Sequence, residues 1–114
     1  MTIKIIKEKI SKDELKKIAE EIYGEMVKAA VDVERGSLSM GGEFHSDAEA
    51  ILIDDGSKGT DIWGINIFIN KPKSERIEFS ALINIKPLSG NRSMKIQDNE
   101  IKEKIRQIIN KLVE

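Results

Sequence analysis

His45 is the only histidine in a chain of 114 residues, and it stands in the stretch Gly41-Gly42-Glu43-Phe44-His45-Ser46-Asp47-Ala48-Glu49, with an acid two residues to either side. In an extended chain Glu43, His45 and Asp47 project from one face at intervals of about 6.5 to 7 Å, close enough for neighbouring side chains to converge on one cation. Phe44 then points into the core and anchors the row. An imidazole with two carboxylates suits a borderline or hard divalent ion such as Zn, Mn or Fe, so a divalent metal is the one cofactor these residues suggest. Glu43, His45 and Asp47 are its candidate ligands. An imidazole beside a carboxylate is also the pair that general-base chemistry needs, which makes His45 and Asp47 the candidate catalytic residues. The plainer reading is the solvated face of a strand. Charged residues make up 34% of the chain, and His-x-Asp outside a held geometry has little specificity.

A second constellation lies in Ser89-Gly90-Asn91-Arg92-Ser93. Asn91, Arg92 and Ser93 offer an amide, a guanidinium fork and a hydroxyl on a flexible backbone, a set suited to a phosphate or carboxylate. The glycine spacing of a P-loop or of a dinucleotide fingerprint is missing, and such a loop more often caps neighbouring backbone. Asp54, Asp55 and Asp61 surround a Gly-Ser loop without the EF-hand pattern and read as an acidic turn. One histidine and scattered serines make no Ser-His-Asp arrangement. Trp63, spaced with three isoleucines at strand period, reads as core.

The conformation of residues 46–55 decides the chemistry of the first constellation, and two structures compete for it. In a helix, Ser46 is the cap, Glu49 its capping-box partner and Gly56 the residue past the end. Asp47 then turns away from His45 into the first turn. In a strand, Ala50-Ile51-Leu52-Ile53 is one arm of a hairpin, and the β-branched pair Ile51 and Ile53 favours this form.

The flanking elements are easier to read. Thr2 to Ile6 alternates as a short strand blunted by lysines, suited to a sheet edge. Ser11 and Glu14 have capping-box spacing, and Leu15, Ile18, Ala19, Ile22 and Met26 follow as one helical stripe interrupted at Gly24. From Ala29 the period becomes two, with Arg35-Gly36 as the turn into Ser37 to Met40. Ile62 to Asn70 and Arg76 to Lys86 are the two strongest strands, antiparallel neighbours across a Lys-Pro-Lys-Ser loop, and Pro87 ends the second. Asp98 caps a last helix whose stripe is Ile101, Ile105, Ile108, Ile109 and Leu112. The expected fold is a single α+β domain over residues 1–114. It has a mostly antiparallel sheet of four to six strands with the N- and C-terminal helices packed on one face, the other face being left wet.

Lys and Arg number 19 against 20 Asp and Glu. Such a balance gives no long-range attraction for phosphate backbones or anionic lipid, so nucleic acid is not the expected partner. There is no cysteine, which removes disulfides, thiolate sites and cysteine nucleophiles together. No apolar run approaches the ~20 residues that span a bilayer, and the expected setting is the cytoplasm, with no membrane association.

Taken together, the segments Gly-Gly-Glu-x-His-x-Asp-x-Glu at 41–49, Gly56-Ser57, Trp63-Gly64-x-Asn66, Ile83-Asn84-Ile85-x-Pro87 and Gly90-Asn91-Arg92-Ser93 resemble an uncharacterised family of small prokaryotic proteins, a domain of unknown function. The likeness runs over nearly the whole chain. Lys86 and Ser46 stand where that family more often has Arg and Ala, and a lysine at 86 offers no bidentate fork to an anion. The resemblance implies no activity and marks these polar segments as the places to test. The leading expectation is therefore a binding or enzymatic site for a small polar or phosphorylated ligand, with the His45 row holding a cation or acting as base and the Arg92 loop receiving the anionic part. The rival expectation is a non-catalytic protein–protein interaction module or homodimer that uses an open sheet edge.

Overall fold

The computed structural model describes residues 2–114. Among them, five strands and three α-helices follow in the order β1 (Lys4–Ile6), α1 (Lys12–Glu20), β2 (Met26–Asp32), β3 (Ser37–Met40), α2 (His45–Asp54), β4 (Ile62–Phe68), β5 (Ile77–Glu78) and α3 (Asn99–Leu112). The sheet order is β1-β3-β2-β4-β5, and every pairing is antiparallel. The chain is thus α+β, with β1 on the edge.

The amphipathic helices form where their caps and stripes dictate. The Ser11 hydroxyl accepts from the Glu14 amide, the Asp98 carboxylate accepts from the Glu100 amide, and each satisfies a free N–H of a first turn. Leu15, Ile18 and Ala19 of α1 and Ile105, Ile109 and Leu112 of α3 pack in one cluster against Val27, Ala29, Val31, Trp63, Ile65 and Ile67. Both terminal helices therefore lie on one sheet face, and Trp63 is core. The first stripe stops sooner than its spacing predicts. The Gly24 amide donates back to the Ala19 carbonyl at 2.7 Å, the chain reverses there, and Met26 opens β2 instead of ending α1.

Two expectations are corrected. Of the two forms that compete for residues 46–55, the chain takes the helix, α2 (His45–Asp54), and not the favoured strand, and α2 lays Ala48 and Leu52 on Ala30 and Ile62. The second sheet face is therefore partly covered and not left wet. The physical reason is a pair of small residues on adjacent strands: Ser39 and Ala30 are register neighbours, and they leave room for a helix to lie close. The Ser39 hydroxyl even donates to the Ala48 carbonyl at 2.8 Å.

The second correction concerns Arg76 to Lys86, which joins the sheet only at Ile77 and Glu78. Beyond them the chain folds over the face of β4 and makes a 3-10 turn at Leu82–Asn84. Gly64 permits this, since a Cβ there would sit 2.5 Å from the Ala81 Cβ. The Asn84 side chain, fully buried, then takes the place of the missing strand. Its Oδ1 accepts from the Gly64 amide at 2.7 Å and its Nδ2 donates to the Gly64 carbonyl at 2.9 Å. An amide side chain thus satisfies backbone groups that a longer β5 would have paired.

Candidate functional site

Next to the pair of small residues, the register sets a polar row on the same sheet face: Lys28 of β2 lies opposite Asn66 of β4, which lies opposite Glu78 of β5. Over it stands His45, the first residue of α2. The turn that delivers it depends on Gly41, whose φ is +110° and whose Cβ, if present, would lie 2.6 Å from the Thr2 carbonyl oxygen. Tyr23 steadies the same turn by donating from its hydroxyl to the Glu43 carbonyl at 2.7 Å.

The half-buried imidazole has a defined proton. Its Nε2 lies 3.0 Å from the Ile65 carbonyl and 2.9 Å from the Asn66 Oδ1. Asn66 is oriented by Glu78, whose carboxylate accepts from Asn66 Nδ2 at 2.7 Å. Both partners of Nε2 are then acceptors, so Nε2 carries the hydrogen and donates it to them. Nδ1 makes no hydrogen bond with the described residues and is not sealed from solvent, which leaves it as the accepting nitrogen. Burial pushes the His45 pKa below its ordinary value, and the positive charge of Lys28 adds to that push. The bonds to Ile65 and Asn66 and the charge of Glu78 oppose it without reversing it. The neutral ring is therefore favoured more than in a free imidazole.

A cleft of about 500 Å³ opens beside this ring. Its floor is polar, with His45, Asn66, Glu78 and Lys28, and its walls include Phe44, Leu82 and Met94. Those three apolar side chains are exposed, Phe44 at 59%, where an ordinary surface would carry polar groups. Lys28 Nζ sits 5.2 Å from the centre of the Tyr23 ring and 5.9 Å from that of Phe44, placements that favour a held cation.

The residues singled out by sequence are only partly brought together. The extended Glu43-His45-Asp47 row does not form, because α2 begins at His45 and a helix turns alternate side chains apart. Phe44 points out instead of anchoring the row. Ser46 is inside the helix, and the capping position falls on Phe44, which makes no side-chain capping bond. Glu43 and Asp47 are exposed and do not line the cleft. Among the described residues no three His, Cys, Asp or Glu side chains form a group able to hold a metal ion.

The Arg92 loop is separate as well, and Met94 is its contribution to the cleft. Asn91 is buried and spent on backbone. Its Nδ2 donates to the carbonyls of Asn84, Ser93 and Lys95, and its Oδ1 accepts from the Gln97 amide. The Ser93 hydroxyl accepts from the Lys95 amide, while Arg92 is exposed. Sequence reasoning missed Lys28, Asn66 and Glu78 as site residues. The signal for the latter two was present as polar residues alternating with isoleucines in the two strongest strand patterns.

The family model described as Protein of unknown function (DUF5674) matches residues 4–112. No curated protein and no solved structure matches the chain. Among the described residues, no helix is long and apolar enough to cross a membrane.

Proposed function

We propose that the chain, which belongs to this family of unknown function, binds a small ligand in the cleft beside His45, one that joins an apolar body to a polar or anionic group. The observation that carries the reading is the His45 imidazole, with Nε2 committed to two acceptors and Nδ1 left without a partner among the described residues, lining an apolar-walled cleft. Concave, mostly apolar sites with a few convergent polar groups are the usual form of a small-molecule site. In this reading Nδ1 accepts a hydrogen bond from the ligand, and it is placed to take a proton as a general base where the ligand supplies one. Lys28 receives the anionic part. Phe44, Leu82 and Met94 cover the apolar part, whose burial supplies most of the affinity.

His45 is the sole histidine, so the test reads one site. A set of small aromatic and aliphatic carboxylates and phosphates is screened by ligand-observed NMR, and hits are checked for protection of His45 against carbethoxylation by diethyl pyrocarbonate. Hits that protect His45 and are lost in both His45→Ala and Lys28→Ala support the reading. A screen whose hits bind both variants as well as the parent chain rules it out.

A second reading, association with another copy of the chain, is favoured by a different patch. Leu88 is fully exposed and, with Ile53 and Pro87, edges a hollow of about 450 Å³ away from His45. Apolar exposure of this kind marks contact surfaces. Sedimentation over a range of concentrations tests it: a mass that rises with concentration and falls back in Leu88→Glu supports it, and a constant monomer mass removes it.

A further inference from the structure

A separate hollow, of about 200 Å³, lies where the loop after β4 meets α1. Lys12 and Lys16 come to it from α1, Lys71 and Lys73 from the Lys-Pro-Lys-Ser loop, and Arg76 from the start of the β5 segment, with Asp13 as the one acid in its lining. The chain as a whole carries a formal charge of -1, so five cations against Asp13 in the lining and Glu114 beside it, whose carboxylate accepts from the Lys12 amide at 3.4 Å, is a local concentration of charge and not a reflection of composition. None of the four lysines takes part in a salt bridge among the described residues.

The loop is also held in shape. The Glu75 amide donates to the Pro72 carbonyl at 2.9 Å, closing a turn, and Lys71 Nζ lies 4.4 Å from the centre of the Phe68 ring. Arg76 is only 4% exposed, and its fork donates to the Val113 and Glu114 backbone oxygens and, at 3.4 Å, to the Asn110 Oδ1. Its two Nη groups are spent on the end of α3 while its buried Nε has no partner among the described residues, and its charge raises the potential of the hollow it lines, in surroundings less polar than water. Like charges gathered around one hollow repel, and an anion settling among them relieves that repulsion.

We propose that this hollow is a site for a phosphoryl anion, distinct from the His45 cleft. Lysines act as compact, mobile point charges, and several of them can each meet a different oxygen of a tetrahedral phosphate. The space takes one or two phosphoryl groups. A nucleic-acid backbone asks for a basic stripe along a face, and these cations converge on one hollow.

The test is a titration with inorganic pyrophosphate at fixed ionic strength, followed by calorimetry and ³¹P NMR. The parent chain binds saturably, and affinity falls as sodium chloride is added. Lys71→Ala/Lys73→Ala weakens binding about tenfold or more, as loss of two charge contacts in one site implies. Both positions are exposed, so the variant is expected to keep the parent circular dichroism. Lys71→Arg/Lys73→Arg keeps most of the affinity, which separates charge from any change of fold. His45→Ala leaves the titration unchanged. Heats no larger than those of dilution, or a double alanine variant that binds like the parent chain, overturn the proposal.

Discussion

At the scale of single residues, His45 and Asn84 show how one polar side chain can be held by its surroundings for different ends. Burial keeps the imidazole neutral by lowering its pKa in the folded chain. The unfolded chain, with an imidazole of ordinary value near 6.5, therefore binds a proton more readily than the folded one. Stability from this group is fully present above that value and is lost as pH falls from it toward the lowered folded value. Proton NMR of the His45 ring is expected to give a midpoint below the free-imidazole value. Denaturation is expected to show a loss of stability on acidification through that window which His45→Gln lacks, and a midpoint at or above the free value contradicts the buried neutral ring. Asn84 works on structure instead. Asn84→Ala leaves the N–H and C=O of Gly64 without partners inside the fold, and each such loss costs about 1–3 kcal/mol. Urea unfolding is expected to show a destabilisation of about 3 kcal/mol, while Asn91, tied to other carbonyls, does not compensate.

At the scale of elements, α2 carries the compromise that a ligand site requires. Its N-cap position is occupied by Phe44, which makes no capping bond and stands exposed at the cleft wall. A helix that gives up its cap for an apolar side chain is locally suboptimal, and such departures concentrate where function is placed. Phe44→Ser is expected to raise the unfolding free energy by about 0.5–1 kcal/mol through the new cap, and to weaken the ligands that bind the parent cleft; a variant both less stable and equally able to bind contradicts this view of Phe44. The same element shows where sequence and structure part. Caps and apolar stripes revealed α1 and α3, and strict alternation revealed β4 and the β2–β3 hairpin, because those signals are local. Ala50-Ile51-Leu52-Ile53 carries β-branched residues that favour a strand in isolation, and its helix is selected by the small residues Ser39 and Ala30 beneath it. The alternation from Ile77 to Ile85 likewise gives way to a contact made at a distance, the seat of Asn84 on Gly64. The cleft was legible only as His45, since its other polar members meet through strand register, which single-strand patterns do not contain.

At the scale of the whole molecule, the segment before α1 and the end of α3 are joined, and the sheet and both layers are expected to unfold together. Ile10 and Val113 form a parallel bridge, with the Ile10 amide donating to the Leu112 carbonyl at 2.9 Å and the Glu114 amide donating to the Ile10 carbonyl at 3.0 Å. Arg76 grips the same end of α3 through Val113 and Glu114. The linker from β1 to α1, the approach to β5 and the last turn of α3 thus share one knot of backbone bonds, made between residues far apart in sequence. Contacts of that separation favour a single cooperative transition, because none of the three segments keeps its partners when another leaves. Arg76→Met, which retains most of the side-chain bulk, isolates the hydrogen bonds from packing. The main-chain oxygens of residues 113 and 114 lose their donor, while the cost of burying a guanidinium with an unpartnered Nε disappears as well, and the net expectation is a loss of about 2–4 kcal/mol. Chemical denaturation followed by both Trp63 fluorescence and far-ultraviolet circular dichroism is expected to give coincident curves with an unchanged dependence on denaturant and a lower midpoint. Trp63 sits in the layer under α1 and α3, so it reports on the knot's own side of the sheet. If its transition precedes the loss of helix signal, the ends come apart before the rest and the molecule is not a single cooperative unit.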